Sequence, residues 1–363
     1  EVPEGIESWL PRSTISPAEI CERLNFERSE RSGPYRSEHD GVISDPKLLA
    51  NLNSRSKEKV FSATMLETYR KCPMSYFLKY VLYLSPLEGD EDSEALRVGN
   101  AAHRILFRFY QERIGKRLGI PSPTEVEAAK ADIRRIGEEV RQEIMADGAV
   151  SEASFRALIG DKEMNGALGM FVDAQSNKDM PRWAPAHLEF SFGHRFSKER
   201  NDERSTERPA EIALSDVPGD HLLLRGKVDR LDAKDGSFVI IDYKTGSVPG
   251  YSSMAKGYQM QLQLYLMACE DLLGLQAAGG AYYQLRNDDK LGMQLRTASA
   301  EFERELGGKK NAYKPGLRED LEICKRNVKE VLEGISQGKF HPVDSTDTER
   351  CSSYCLFSRI CRK

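Results

Sequence analysis

The stretch Leu222 to Gly246, LLLRGKVDRLDAKDGSFVIIDYKTG, constrains what this chain can fold into more than any other. Two apolar runs flank Asp235-Gly236, a dipeptide suited to the positive φ angles of a tight hairpin turn. In the second run, period-two alternation puts Asp242 and Lys244 on one face with Phe238 and Ile240. If the turn is centred on Asp235-Gly236, position 229 falls directly opposite position 242. Opposed residues share a face with Cβ atoms roughly 5 Å apart, so two aspartates there repel. Such a pair calls for a cation, and Mg²⁺ is a natural occupant. Lys244 on the same face can balance charge on a phosphate or orient a water. A single exposed Asp would be no more than a solvated charge; two in register, with a lysine following, point to chemistry.

The rest of the chain reads as a mixed α/β core rather than an alternating βαβ pattern. Residues 1–60 are polar, with short apolar patches at Ile6 to Leu10, Val42-Ile43 and Leu48 to Leu52, and read as a connecting arm. Thr64 to Glu67 reads as a capping box opening a short helix. Cys72-Pro73 should break that helix and start another, largely buried, through Tyr76, Phe77, Tyr80, Val81 and Leu84. A helix from Gly99 to about Arg117 should carry His103, Phe107, Tyr110 and Ile114 on one face. Thr124 to Glu127 should cap a long helix with a stripe of Val126, Ala129, Ile133, Ile136, Val140 and Ile144, followed by a less regular helical stretch to about Val172. Leu188, Phe190 and Phe192 alternate as a strand with Glu189 on its other face; a surface glutamate is at least as good a reading of Glu189 as a site residue. Ser197 to Pro209 contains no apolar residue before Pro209 and reads as a mobile loop. A helix over Met254 to Leu273, a strand near Ala281 to Leu285 and a last helix carrying Leu317, Leu321, Cys324, Val328, Val331 and Ile335 complete the pattern.

Seven cysteines divide by context. Cys269 and Cys324 fall on apolar helix faces and read as core, and Cys21 lies in the arm. Cys351, Cys355 and Cys361 fall within eleven residues, a spacing that suggests metal ligands rather than disulfides in a reducing compartment. Cys72, fixed by Pro73, is the natural fourth. Four thiolates suit zinc or an iron–sulfur cluster equally.

Two blocks, Gly226-Lys-Val-Asp229-Arg230 and Ile241-Asp242-Tyr243-Lys244-Thr-Gly, resemble the core of the PD-(D/E)XK nucleases, RecB-like branch, with Val228-Asp229 in place of the usual Pro-Asp. The resemblance implies a restriction-endonuclease-like mixed central sheet flanked by helices. His103, in Gly99-Asn-Ala-Ala-His103, is similar to that branch's upstream GxxxH helix. Alone, a histidine on a helix face is more often a core residue; with the hairpin it becomes a metal ligand. Gln261 and Tyr265, with Tyr258 on the same helix face, resemble the QhxxY motif whose side chains approach the DNA backbone. By this resemblance Asp229, Asp242, Lys244, Gln261 and Tyr265 are catalytic, and His103, Asp229, Asp242 and the Tyr243 carbonyl hold Mg²⁺ or Mn²⁺, imidazole suiting Mn²⁺.

Ser62-Ala-Thr, Tyr69-Arg-Lys-Cys72-Pro73 and Tyr76-Phe-Leu are similar to AddB-type nuclease domains, which carry a 4Fe-4S staple with one cysteine before the core and three after it. That implies Cys72, Cys351, Cys355 and Cys361 as cluster ligands. The chain departs from the family's CxxC spacing in having three residues between Cys351 and Cys355. The expected organisation is a 1–60 arm and a 61–363 nuclease domain, with a helical insertion over about 118–182 and the C-terminal staple. The implied function is metal-dependent DNA hydrolysis, as an exonuclease, in DNA-end processing, recombination and repair beside a helicase. The alternatives are a catalytically idle DNA-binding module serving a helicase, and a zinc-stapled structural protein. A net charge of −4 gives no global nucleic-acid signature, so basic residues must act locally. No apolar run approaches the roughly 18 residues of a membrane span and the start is no signal peptide, so the cytoplasm is the expected location. A start at Glu1 without Met suggests a piece of a longer or processed chain.

Overall fold

The structure is a computed structural model that describes residues 41–57, 59–84, 94–116, 122–145, 150–161, 165–177, 183–195, 202–285, 292–305, 315–343, 347–351, 355–358 and 360–361. The arm patch Ile6 to Leu10, Cys21 and residues 197–201 of the polar loop lie outside them. The chain divides into two compact units. One comprises Glu58–Arg70 and Ser85–Val331; the other draws on Glu1–Lys57, Lys71–Leu84 and Leu332–Lys363.

The larger unit is built on a mixed sheet whose described strands number seven. These are β1 (Phe61–Ser62), β2 (Ala184–Phe192), β3 (Ala210–Ala213), β4 (His221–Lys234), β5 (Ser237–Lys244), β6 (Gln276–Gln284) and β7 (Gly292–Ala298). β4 is the organiser. Its first half pairs with β1 and β3, and its second half pairs with β2 on one edge and β5 on the other. Asp235 at φ 48° and Gly236 at φ 80° form the hairpin turn, the two left-handed positions that such a turn demands. The ladder runs from Lys234↔Ser237 to Arg230↔Ile241, so the expected centring holds. β5 then pairs parallel with β6, and β6 antiparallel with β7. The strand expected near Ala281 is β6, beginning at Gln276; β7, with a half-exposed middle, was not anticipated.

Helices α4 (Glu94–Gln111), α5 (Pro123–Met145), α6 (Glu152–Ile159) and α7 (Ala167–Asn177) share a core with Ile241, Tyr243, Tyr283 and Leu285 of the sheet. The α5 stripe packs as its 3.6-residue period requires, with Ile133, Ile136 and Val140 buried and Val126, Ala129 and Ile144 at its margins. Its capping box is Ser122 with Glu125, two residues upstream of the expected pair: Ser122 N–H and Oγ both donate to Glu125, and Glu125 N–H donates back to Ser122 Oγ. α4 begins five residues before Gly99 and stops at Gln111. Its buried face is Ala101, Ala102, Ile105, Leu106, Phe109 and Tyr110, so His103 sits at the margin of that face and Ile114 is exposed beyond the helix.

The helix expected from Met254 to Leu273 is two: α8 (Tyr251–Ala255) and α9 (Gln261–Leu273). Gly257 breaks it at φ 76°, where a Cβ would also lie 2.9 Å from Asn327 Cγ, and Tyr258 falls in the break rather than on α9. α10 (Ala300–Glu305) and α11 (Leu317–Ser336) follow, the latter with its predicted apolar stripe buried. Residues 202–209 are tied down rather than loose. Asp202 binds the His187 ring and the Leu188 N–H, and Thr206 bridges to Phe192; polar side chains here serve as partners for a strand edge.

Upstream lie α1 (Pro46–Lys57), inside the expected arm and capped by Asp45, and α2 (Ala63–Lys71). α2 is capped by the Ser62 hydroxyl, not Thr64. It ends where Cys72 turns extended, at φ −152°, ahead of α3 (Pro73–Tyr76). A π-helical turn over Phe77–Val81 continues α3. Its longer repeat rotates the apolar positions out of one stripe. Tyr76 and Leu78 are buried, Phe77, Tyr80 and Val81 half-buried, and Leu84 exposed, less than the full burial expected. Among the described residues no helix is long and apolar enough to cross a membrane.

Candidate metal centre

The β4–β5 ladder ends at Arg230↔Ile241, and Asp229 and Asp242 are the next residues on each strand. There the Tyr243 N–H donates to Asp229 Oδ2 at 3.0 Å, fastening the second aspartate's strand to the first aspartate's side chain. His103 enters from α4. Its Nδ1 lies 3.2 Å from Asp229 Oδ1 and its Nε2 3.1 Å from the Tyr243 carbonyl oxygen. Both facing oxygens accept, an arrangement suited to a ring that donates from both nitrogens, as an imidazolium does. Burial alone would lower the His103 pKa, but the Asp229 carboxylate outweighs it and carries the value up to about 9.

Lys244 Nζ lies 2.7 Å from Asp242 Oδ2, close enough for an ion pair. That buried oxygen has no aligned hydrogen-bond donor. Burial, reinforced by repulsion from Asp229, pushes the Asp242 carboxyl up to about 7. Asp229 goes the other way: burial raises it, and the His103 charge and hydrogen bond pull it below the ordinary range. Two neighbouring carboxyls with divergent proton affinities are characteristic of a working site rather than a solvated strand end.

Glu189 joins them. It faces Asp229 from β2, between the pairs Leu188↔Arg230 and Phe190↔Val228. Its φ of 52° lies in the left-handed region, a cost of order 1–3 kcal/mol for a residue with a side chain. Ligand atoms of His103, Glu189 and Asp229 all lie within 4.8 Å of one another; Asp242 is not among them and pairs with Lys244. The alternation of β2 was legible, but the β2–β4 register was not, because no tight turn joins those strands. The surface reading of Glu189 is therefore corrected: it is buried, and burial followed by Asp229 raises its pKa.

Gln261 opens α9 and Tyr265 lies one turn on. The Tyr265 ring covers Gly226, where a Cβ would meet Cε1 at 2.5 Å. Its hydroxyl accepts from the Lys227 backbone N–H and bonds to the Gln261 side chain. Tyr265 is only 8% exposed, so this pair braces β4 beside Asp229. Glu67, read from sequence as half of a capping box on α2, instead accepts from the N–H groups of Met260 (2.6 Å) and Gln261 (3.0 Å). A carboxylate there satisfies donors that a helix start leaves unpaired and complements its dipole. No pattern spanning some 190 positions could have revealed it.

The smaller unit holds the four remaining cysteines of interest. The Arg350 side chain donates to the Lys71 carbonyl at 3.1 Å. Cys355 Sγ lies 4.0 Å from Ser75 Oγ, and Cys361 Sγ lies 3.9 Å from Met74 Sδ. The C-terminal run thus returns to the turn that begins at Cys72. All four thiols are partly exposed, whereas Cys269 and Cys324 are buried in the core as expected. Among the described residues no three cysteine sulfurs lie within 4.8 Å of one another.

A mixed sheet presenting two aspartates and a lysine from adjoining strand ends, with a histidine and a glutamate closing over them, is the core of a nuclease fold. The model of the PD-(D/E)XK nuclease superfamily matches residues 60–362, and the chain belongs to that family. Among curated proteins it is similar to the B-type subunit of the ATP-dependent helicase/deoxyribonuclease of Carboxydothermus hydrogenoformans, 27% identical over 66% of this chain and 22% of that protein. The proteins of the same name from Leuconostoc citreum (28% identical, 77% of this chain, 23% of that one) and Moorella thermoacetica (27%, 82% and 25%) are also similar. The chain spans about a quarter of the length of these relatives.

Proposed function

We propose that this chain is the divalent-metal-dependent deoxyribonuclease part of a helicase–nuclease, acting as an exonuclease on DNA ends in the cytoplasm during recombination and repair. One observation carries the reading: ligand atoms of His103, Glu189 and Asp229 lie within 4.8 Å of one another, with the Tyr243 carbonyl also on His103. Acceptors gathered around a displaceable proton fit a cation. Asp229, Asp242, Glu189, His103 and the Tyr243 carbonyl would hold Mg²⁺ or Mn²⁺. When bound, the ion supplies Lewis-acid polarisation of a phosphoryl oxygen and acidifies water. To act as a ligand His103 would give its ring proton to solvent, and the Lys244 ammonium, drawn from Asp242, would offset charge developing on the phosphate. Tyr265 and Gln261 hold β4 in place beneath the strand being cut. The helicase partner and the DNA substrate rest on the names of the relatives.

Cys72, Cys351, Cys355 and Cys361 would hold a 4Fe-4S cluster as a structural clip. Their convergence on one turn supports this, and a single zinc would draw four sulfurs to about 4 Å or less of each other, given Zn–S near 2.3 Å. The clip closes a loop of nearly the whole domain, worth on the order of 4–5 kcal/mol if the disulfide model applies.

The test is digestion of end-labelled single-stranded DNA by the purified protein with and without Mg²⁺ or Mn²⁺, alongside its absorption near 400 nm. Metal-dependent shortening from an end and a brown chromophore lost in Cys72→Ala are expected. No cleavage with either ion would overturn the enzymatic reading; a colourless protein with stoichiometric zinc would overturn the cluster.

A further inference from the structure

Each carboxylate of the centre has its own cation: Asp229 has His103, Asp242 has Lys244, and Glu189 has Lys227. The third pair differs from the others. Lys227 stands two residues before Asp229 on β4, so the two side chains share a face. It is in register with Ser191 of β2, which puts Glu189 one diagonal step away. The Lys227 side chain is 43% exposed, against 10% for the Glu189 it reaches. Its backbone is pinned, because its N–H is bound by the Tyr265 hydroxyl and its neighbour Gly226 lies under the Tyr265 ring.

A fixed backbone with a long, solvated ammonium is a poor structural device. Solvent screens the half-exposed ammonium more than it would a buried one, so a divalent ion, with twice the charge, competes with the lysine for Glu189. The freed ammonium then stands beside carboxylates whose charge the ion largely offsets, facing solvent. A compact point charge there suits a phosphate oxygen. Lys244 does not duplicate this role, because it starts beside Asp242 on β5 whereas Lys227 stands beside Glu189 on the β2 side of β4.

We propose that Lys227 is a phosphate-binding residue of the loaded site: its ammonium exchanges Glu189 for a backbone phosphate of the bound strand when an ion takes that carboxylate. This rests on the reading of the centre as a metal-dependent nuclease. It also gives the Gln261–Tyr265 pair a definite task, which is to hold the Lys227 backbone where the side chain can make that exchange.

The exchange predicts opposite signs for two affinities. With DNA absent, Mn²⁺ titrated calorimetrically into Lys227→Ala should bind several-fold tighter than to the parent, because Glu189 no longer has a competing cation. With Ca²⁺ present, a fluorescent single-stranded oligonucleotide (checked on a gel for integrity) should bind Lys227→Ala about tenfold more weakly whatever its sequence. Its salt slope should fall by about one, as losing a single phosphate contact requires. Lys227→Arg keeps the charge and should restore DNA affinity. Lys227→Met keeps the stem and should melt with the parent while behaving like Lys227→Ala. Unchanged DNA affinity and salt slope in Lys227→Met would overturn the proposal, as would weaker Mn²⁺ binding in that variant. If the parent protein binds neither Mn²⁺ nor DNA, the proposed function itself fails, an outcome distinct from a failure confined to Lys227.

Discussion

Asp229 and Asp232 stand three residues apart on β4, each withdrawn from solvent and each beside a cation. Asp232 receives the Arg230 guanidinium through Nε and Nη2, both at 2.6 Å. That arginine stacks 4.1 Å from the Tyr110 ring centre and reaches the Tyr243 hydroxyl. The pair is buried on both sides, and the Asp232 charge nearby raises the already high Arg230 pKa despite burial. It is closed: a fork of fixed charge fills the carboxylate. Asp229 has instead a histidine that can lose its proton, and around it stand two further carboxyls with raised proton affinity. Both clusters contain buried acids. What separates a structural cluster from a reactive one is whether the neutralising charge can leave.

That contrast can be broken from either end. The largest effect should come from Asp242→Ala, which should cut metal-dependent cleavage by at least about a thousandfold, roughly 4 kcal/mol of barrier. The metal-free protein should melt no lower than the parent, because removing a carboxyl from a repelling pair relieves strain. A clear loss of stability with activity retained would make Asp242 structural. Arg230→Met should show the reverse pattern, costing about 3–5 kcal/mol by denaturant titration because Asp232 is left buried without compensation. If this variant unfolds like the parent, the closed cluster is not the structural anchor described. Smaller still is Glu67→Gln, which weakens the cap on α9. About 1 kcal/mol should be lost, with cleavage reduced mainly through the Gln261–Tyr265 brace. Unaltered stability and unaltered DNA affinity would remove Glu67 from the site.

The sequence carried the reactive cluster further than the closed one. Asp235-Gly236 forces a two-residue turn, and that turn transmits register to Asp229 and Asp242, each about six residues away along its strand. Wherever a short covalent link sets geometry, spacing suffices. The apolar stripes of α5 and α11 were legible for a related reason, since burial repeats with the helix period. Glu189 and Glu67 were not legible, because they reach their partners through pairing and capping between segments far apart in the chain. Arg230 and Asp232 carry no periodic signal that marks them as core; their enclosure by Tyr110 and Tyr243, from other parts of the chain, does. The split between α8 and α9 turned on one glycine at φ 76°, a position whose constraint comes from Asn327 rather than from its neighbours.

The central claim is that protons now held by His103 and Asp242 keep the place of a divalent ion. His103 is raised from 6.5 to about 9, so its contribution to stability is full below the unfolded value and is lost as pH rises through 9. Asp242 is raised from 3.8 to about 7, and because the folded state keeps that proton longer, stability without metal falls as pH climbs from 4 to 7. An ion that binds here must expel these protons, which links its affinity to pH. Calorimetric titration with Mn²⁺ in buffers of differing ionisation enthalpy tests this most directly. The account predicts release of about two protons at pH 6 and about one at pH 8, with affinity rising about tenfold per pH unit for each proton displaced. Binding with no proton release, or equally strong in Asp242→Ala, would contradict it.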